Sequence, residues 1–210
     1  MPIDRLYHFE RPPLLIVISG TSGAGKDSVA RALVKRMAES SFPAHFVVTA
    51  TSRQKREGEV DGVDYFFVTR DEFEQMIAND ELIEYALVYD QYKGIPKEQA
   101  RQAMDSGLDV VMRLDIQGAA TIRSMAPEAL LIFVTASSDQ ELADRLRRRH
   151  TESEEQLAIR LETARQEMAH IPDFDYVIPN RDGRFEDTID AAMAIVIAEK
   201  HRSRPRNARL

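Results

Sequence analysis

Five apolar residues, Leu14-Leu15-Ile16-Val17-Ile18, run directly into the segment GTSGAGKDS that begins at Gly20. Val29-Ala30-Arg31-Ala32-Leu33-Val34 follows with helical spacing. A buried strand, a glycine-rich turn and a helix in that order leave few folds open, because the strand needs a covered sheet and the helix must pack back on it. In this setting Gly-x-x-x-x-Gly-Lys is a phosphate-binding loop and not a chance match. The glycines let backbone N–H groups of Gly20, Thr21, Ser22, Gly23, Ala24 and Gly25 turn inward toward phosphate oxygens. The helix that starts near Lys26 adds the positive end of its dipole, and the Lys26 ammonium reaches the terminal phosphates. The expected ligand is a nucleoside triphosphate.

One position departs from the pattern. The residue after the lysine is normally Ser or Thr, whose hydroxyl binds Mg²⁺, but here it is Asp27. Ser28 comes one residue later, and on a helix it points about 100° away. A carboxylate is a competent Mg²⁺ ligand, so Asp27 is a candidate metal contact. An acid in a first helical turn also complements the dipole without touching metal, and both readings stay open.

The length of 210 residues suits one domain with a substantial core, and 43% hydrophobic with 30% charged residues is a globular balance. With no apolar run of about 18 residues, no membrane span is expected. MPIDRLYHFERPP at the start has no apolar stretch and does not read as a signal peptide. The absence of cysteine rules out disulfides and thiolate chemistry, and suits the cytoplasm. A net charge of −7 argues against general nucleic-acid binding. Arg202, Arg204, Arg206 and Arg209 make the C-terminal tail basic, and a solvated, disordered end is expected there.

Apolar β-rich runs alternate with amphipathic helical patterns, which predicts an α/β fold with a mostly parallel five-stranded sheet and helices on both faces. The patterns place strands at 14–19, 45–50, 109–115, 130–135 and 175–178. Helices are expected at 26–39, 71–79, 97–106, 117–125, 138–149, 153–170 and 185–201. Between Ser52 and Tyr92 the rhythm breaks into turns at Gly58 and Asp61-Gly62 and short aromatic or β-branched runs. That pattern predicts a small, mixed or antiparallel insert that holds a second substrate. Arg53 and Arg56 lie in it, and guanidinium forks bind phosphate oxygens bidentately. Tyr65, Tyr92 and Lys93 add further donors.

Four segments then carry a resemblance: TSRQKREGEVDGVDYFFV from Thr51, LIEYA from Leu82, LDIQGA from Leu114, and the basic segment ending in RHTES. In this order and spacing the chain resembles guanylate kinase from about Leu14 to Asn180. YDQYKGIPK from Tyr89 is similar to a subset found in some bacteria and plant organelles. The resemblance implies a P-loop nucleoside monophosphate kinase fold, with an N-terminal extension at 1–13 and one domain at 14–202. Within that domain it implies a core (14–50, 97–137, 166–202), a GMP-binding insert at 51–96 and a helical lid at 138–165, followed by the tail at 203–210. It implies transfer of the γ-phosphoryl of MgATP to GMP, with dGMP as a further acceptor, in a monomer or homodimer.

By the same resemblance, Arg53, Arg56 and Tyr65 grip the GMP phosphate, Glu84 and Asp115 read guanine, and Thr49 faces the base. Arg145, Arg149 and Arg160 match the arginines of the lid. The chemistry of the base agrees, since guanine offers adjacent N1–H and N2–H donors that carboxylates accept together, whereas adenine presents a lone pair. Without the resemblance, Glu84 reads as an exposed strand acid and Asp115 as a helix N-cap. Lys93, Ile95 and Arg113 join Asp27 as departures from the family pattern, Arg113 at a position often acidic. Sharing a strand face with Asp115, Arg113 either pairs with it or helps Lys93 at the GMP phosphate. A ribose 1,5-bisphosphate kinase and a non-catalytic, peptide-binding guanylate-kinase-like module are the competing readings. The two base-reading carboxylates weigh against the first, and the intact Gly20, Gly25 and Lys26 against the second.

Overall fold

The structure is a computed structural model that describes residues 11–88, 90–147 and 154–210. In chain order its elements begin β1 Leu15–Gly20, α1 Lys26–Ala38, β2 Ala44–Phe46, β3 Ala50–Thr51, β4 Phe66–Phe67, α2 Arg70–Ala78, β5 Leu82–Val88 and β6 Gln91–Pro96. They continue α3 Lys97–Asp105, β7 Asp109–Arg113, α4 Ile116–Met125, β8 Leu130–Thr135, α5 Asp139–Arg147, α6 Glu154–Met168, β9 Tyr176–Pro179 and α7 Phe185–Lys200.

Five strands form a parallel sheet in the order β2-β7-β1-β8-β9. Strand alternation divides β1 between two cores. Ile16 and Ile18 pack with Val29, Leu33 and Met37 of α1 and with Ile189 and Val196 of α7. Leu15 and Val17 face the other way, onto Ala100 of α3 and Ala119 and Ile122 of α4. Both faces are therefore covered, which is why β1 and β8 read as unbroken apolar runs. Gly20, at φ 137°, ends β1 where the β8 backbone comes closest. A Cβ there would lie 1.8 Å from the carbonyl oxygen of Val134, so no other residue fits.

The sequence-predicted strand at 45–50 is two strands in two sheets. β2 lies at the edge of the parallel sheet, while β3 joins a second sheet ordered β4-β3-β6-β5. In this sheet β3 runs parallel to β4 and antiparallel to β6, and β5 runs antiparallel to β6. α2 closes the insert by burying Phe73 against Ala50 and Leu82. Thr69 and Glu72 start that helix with a reciprocal capping box. β7 stops at Arg113, short of the expected 115, because the Asp115 carboxylate caps α4 by accepting from the Gly118 N–H at 2.8 Å.

α5 and α6 pack on each other through Leu142, Leu146, Leu161 and Ala164. The tail differs from the expected disordered end. Arg206 is 9% exposed and bonds Glu199 at 2.8 Å, the Ala129 carbonyl at 3.2 Å and Asp175 at 3.3 Å, while Ala208 is buried in the core. Glu199 is a buried acid at the end of α7, and a buried carboxylate requires a cation, which the tail brings. No described helix is long and apolar enough to cross a membrane.

Candidate active site

The phosphate loop leaves the C-terminal end of β1, next to the ends of β7 and β8, the edge at which open α/β sheets bind ligands. Lys26 Nζ folds back onto the loop, donating to the carbonyls of Gly20 at 3.2 Å and Thr21 at 3.4 Å. Burial lowers its pKa, against the opposing pull of the Glu167 and Asp27 charges. The Ser22 N–H donates to Glu167 Oε2 at 2.8 Å. A carboxylate of α6 thus occupies one of the donors that the sequence assigns to phosphate.

A cavity of about 200 Å³ opens beside Lys26. Asp27, Thr49, Tyr65, Glu84, Lys93 and Asp115 line it together with Lys26, so seven of the sequence-predicted residues converge here from the core and the insert. Its lining holds the cations Lys26, Lys93 and Arg113 and, besides Asp27, two carboxylates that neighbour each other, Glu84 on β5 and Asp115 at the start of α4. Burial, reinforced by the neighbouring Asp115 charge, pushes Glu84 up to about 7. Asp115 both caps α4 and lines the cavity.

Arg53 sits behind this wall. Its guanidinium donates to Glu59 Oε2 at 2.7 Å and to the Gln54 carbonyl at 2.9 Å, and it stacks over Tyr65 at 4.9 Å and Phe67 at 5.3 Å. The Arg53 hydrogen bonds hold Glu59 down at about 2. Arg56 is exposed, and its backbone N–H donates to the same Glu59 carboxylate.

Tyr92 is a correction. Alternation along β6 turns Lys93 and Ile95 into the cavity and Tyr92 to the opposite face. There its ring stacks on Phe73 with centroids 5.0 Å apart, and its hydroxyl donates to Glu74. Arg113 does not pair with Asp115, the first of the two expectations. It bonds Asp27 Oδ2 at 2.7 Å and reaches Thr49 Oγ1 at 3.4 Å, because Asp115 has turned away to cap α4.

Gly23, Gly25, Ser28 and Arg145 line a second cavity with Asn180 and Asp182, on the far side of the loop. Gly25 adopts φ 84° as the N-cap of α1, where a Cβ would press to 2.7 Å from the Asn180 amide nitrogen. That amide donates to the Ala24 carbonyl at 2.8 Å. Arg145 was expected to face the phosphates alongside Arg149. Instead it donates to Asp182 at 2.8 Å, Glu141 at 2.7 Å, the Ala24 carbonyl at 3.2 Å and the Asn180 carbonyl at 2.5 Å. It braces the loop from behind. Arg160 lies part-buried on α6 and lines neither cavity, and Arg149 falls outside the described residues. Glu167, Asn180 and Asp182 were missed by sequence reasoning. No local pattern marks them, because their contacts span 145 residues in the case of Ser22 and 156 in the case of Ala24.

A profile of the guanylate kinase family matches residues 13–199. The chain is 51% identical over 189 residues to guanylate kinase 2, chloroplastic/mitochondrial, of Oryza sativa subsp. japonica, covering 90% of this chain and 65% of that one. It is 42% identical over 189 residues to the guanylate kinase of Caldanaerobacter subterraneus subsp. tengcongensis, covering 90% and 89%. The chain thus spans less than two thirds of the rice relative's length and most of the bacterial one's. The crystal structure of guanylate kinase from Anaplasma phagocytophilum superposes with a TM-score of 0.73 at 29% identity, covering 93% of this chain and 90% of that one. With the phosphate loop, both sheets and all the described helices up to α6 inside the matched span, the chain belongs to the guanylate kinase family.

Proposed function

We propose that this chain is an ATP:GMP phosphotransferase, moving the γ-phosphoryl of ATP onto the phosphate of GMP to give ADP and GDP. The observation that carries this reading is one cavity lined both by the phosphate-loop lysine and by the neighbouring carboxylates Glu84 and Asp115. The lysine suits phosphates. The carboxylate pair suits a base that presents two adjacent N–H donors, which guanine does and adenine does not. Because neither carboxylate needs a 2′-hydroxyl, dGMP is an acceptor by the same reasoning.

The acceptor arrives as an ionised phosphate, so no general base is required. Catalysis rests on aligning two phosphates and neutralising charge on the group in transit. Lys26 and the loop N–H groups hold the donor, while Tyr65, Lys93 and, behind them, Arg53 face the acceptor phosphate. Among the described residues no cluster of three or more His, Cys, Asp or Glu is arranged to hold a metal. One exposed carboxylate, Asp27, lies beside the phosphate cradle. A single carboxylate plus substrate oxygens fits Mg²⁺ that enters with the nucleotide. Bound in that way, Mg²⁺ supplies neutralisation of the β- and γ-phosphate oxygens. The cysteine-free sequence supports a reducing compartment such as the cytoplasm.

The test is ADP release measured with ATP, Mg²⁺ and each of GMP, AMP, UMP and ribose 1,5-bisphosphate. GMP is expected to exceed AMP by at least ~10³-fold in kcat/KM, the discrimination that mismatched buried hydrogen bonds impose. Comparable rates with AMP, or none with GMP, would sink the reading.

A further inference from the structure

Arg113 has no part in the proposed transfer, yet it lines the same cavity as Lys26 and Lys93. Its three neighbours come from three parts of the chain: Asp27 on α1, Thr49 ahead of β3, and the Tyr65 ring of the insert, whose centroid is 5.7 Å from the guanidinium carbon. Arg53 stacks on the same phenol ring at 4.9 Å. Two guanidinium groups therefore converge on one tyrosine, and the cavity that Arg113 lines also holds Lys26 and Lys93. Like charges gathered this closely repel, and a multiply charged anion between them relieves the repulsion. Each arginine has one carboxylate partner in the meantime, Glu59 for Arg53 and Asp27 for Arg113.

The two pairs differ in burial. The Arg113 side chain is 19% exposed, while Asp27 is 61% exposed and keeps most of its hydration. Such a half-solvated pair contributes little to stability. A planar guanidinium binds a phosphate through two parallel N–H···O bonds, which are stronger and more directional. The fork can leave Asp27 for phosphate at small cost, and it has no alternative neutral state in which to wait.

We propose that Arg113 is a second guanidinium of the acceptor-phosphate site, acting across Tyr65 from Arg53, with Asp27 as the resting partner that the phosphate displaces. The proposal rests on the GMP-kinase reading and adds to it a phosphate ligand and an exchange step.

The test compares GMP with guanosine, which carries the same base and no phosphate, by calorimetric titration at about pH 8 without ATP or divalent cation. Arg113→Met should lower the GMP-over-guanosine preference about 10- to 100-fold, the range for losing hydrogen bonds to a charged group, while guanosine affinity stays within about twofold. Arg113→Lys keeps the charge without the fork and should lose about three- to tenfold. This second variant carries the test if the methionine protein binds neither ligand. Asp27→Asn should tighten GMP and leave guanosine unchanged, with a gain at least about threefold larger when Arg113 is present than in the Arg113→Met background. An unchanged preference in the Arg113 variants overturns the phosphate role, and equal gains in both backgrounds overturn the exchange. A wild-type protein that binds guanosine as well as GMP defeats the kinase reading itself, which keeps the two failures apart.

Discussion

If Glu84 reads guanine as a carboxylate, binding of the base must release the proton that burial makes the free protein hold. In the empty cavity Glu84 is pushed up to about 7 by burial and by the Asp115 charge. The N1–H and N2–H donors of guanine hydrogen-bond the ionised form and pull that value down, so affinity rises with pH through the free-site pKa. At about pH 6 roughly one site in eleven is ionised, and at about pH 8 roughly ten in eleven, which makes binding about tenfold weaker at the lower pH. GMP itself is a poor probe, because its own phosphate titrates near 6. Guanosine removes that ambiguity. Calorimetry of guanosine binding should show affinity rising about tenfold from pH 6 to pH 8, with about half a proton released per ligand near pH 7 in buffers of different ionisation enthalpy. Glu84→Gln should flatten the profile and release no proton. A flat profile in the wild type, or an equally steep one in the glutamine variant, refutes the assignment.

The same pKa fixes a sign for stability. Glu84 is raised above the ordinary glutamate value of 4.5, so the native state holds the proton more tightly, and stability from this group declines as pH rises from about 4.5 through 7. Ligand-free Glu84→Gln should therefore be more stable than wild type at about pH 8, by roughly 1–3 kcal/mol with the lower end set by solvent contact, and no more stable near pH 4. Denaturant melts at the two pH values check this, and an equal difference at both would remove the linkage. Glu167 competes with phosphate for the Ser22 N–H, so Glu167→Gln should tighten metal-free ADP about fivefold, the equivalent of about 1 kcal/mol of relieved repulsion. Weaker ADP binding by calorimetry would instead make Glu167 a support of the loop. Arg206→Met leaves Glu199 buried with fewer partners and should cost about 3 kcal/mol in urea unfolding, whereas an unaltered midpoint would mean that the tail only rests on the core.

What could be read before the structure followed the range of each signal. The phosphate loop, the central strands and α1 are local patterns, and local rules suffice for them. The insert was legible as a small mixed or antiparallel unit, but not its individual strands. β3 and β4 are two residues each, and β6 contains Gly94 and Pro96, a composition that reads as turn. These strands exist because they pair with one another: Ala50 and Thr51 of β3 sit opposite Gly94 and Lys93 of β6. Tyr92 reads as a site residue because its hydroxyl lies in the same insert as Arg53 and Arg56, and Lys93 beside it reads as one too, although alternation separates neighbours on a strand. Once β6 is a strand, only one of the two can face the cavity.

Charged residues show the same limit from the other side. Helical neighbours at i+3 and i+4 are predictable, and the Glu141–Arg145 pair obeys that rule. Arg113 met Asp27 across 86 residues, and Arg145 met the Ala24 carbonyl across 121. Such partners are set by strand order, not by spacing. β7 lies beside β1, so the residue that ends β7 necessarily faces the helix that follows β1. The residue there is Asp27, in the position where the phosphate-loop pattern calls for a hydroxyl. A serine at 27 would leave Arg113 without an ionised partner on that helix, and an acid at 113 would set two carboxylates against each other beside the phosphates. The two departures from the family pattern are therefore one change, balanced in charge across adjacent strands. Neither makes physical sense until the sheet order brings them together.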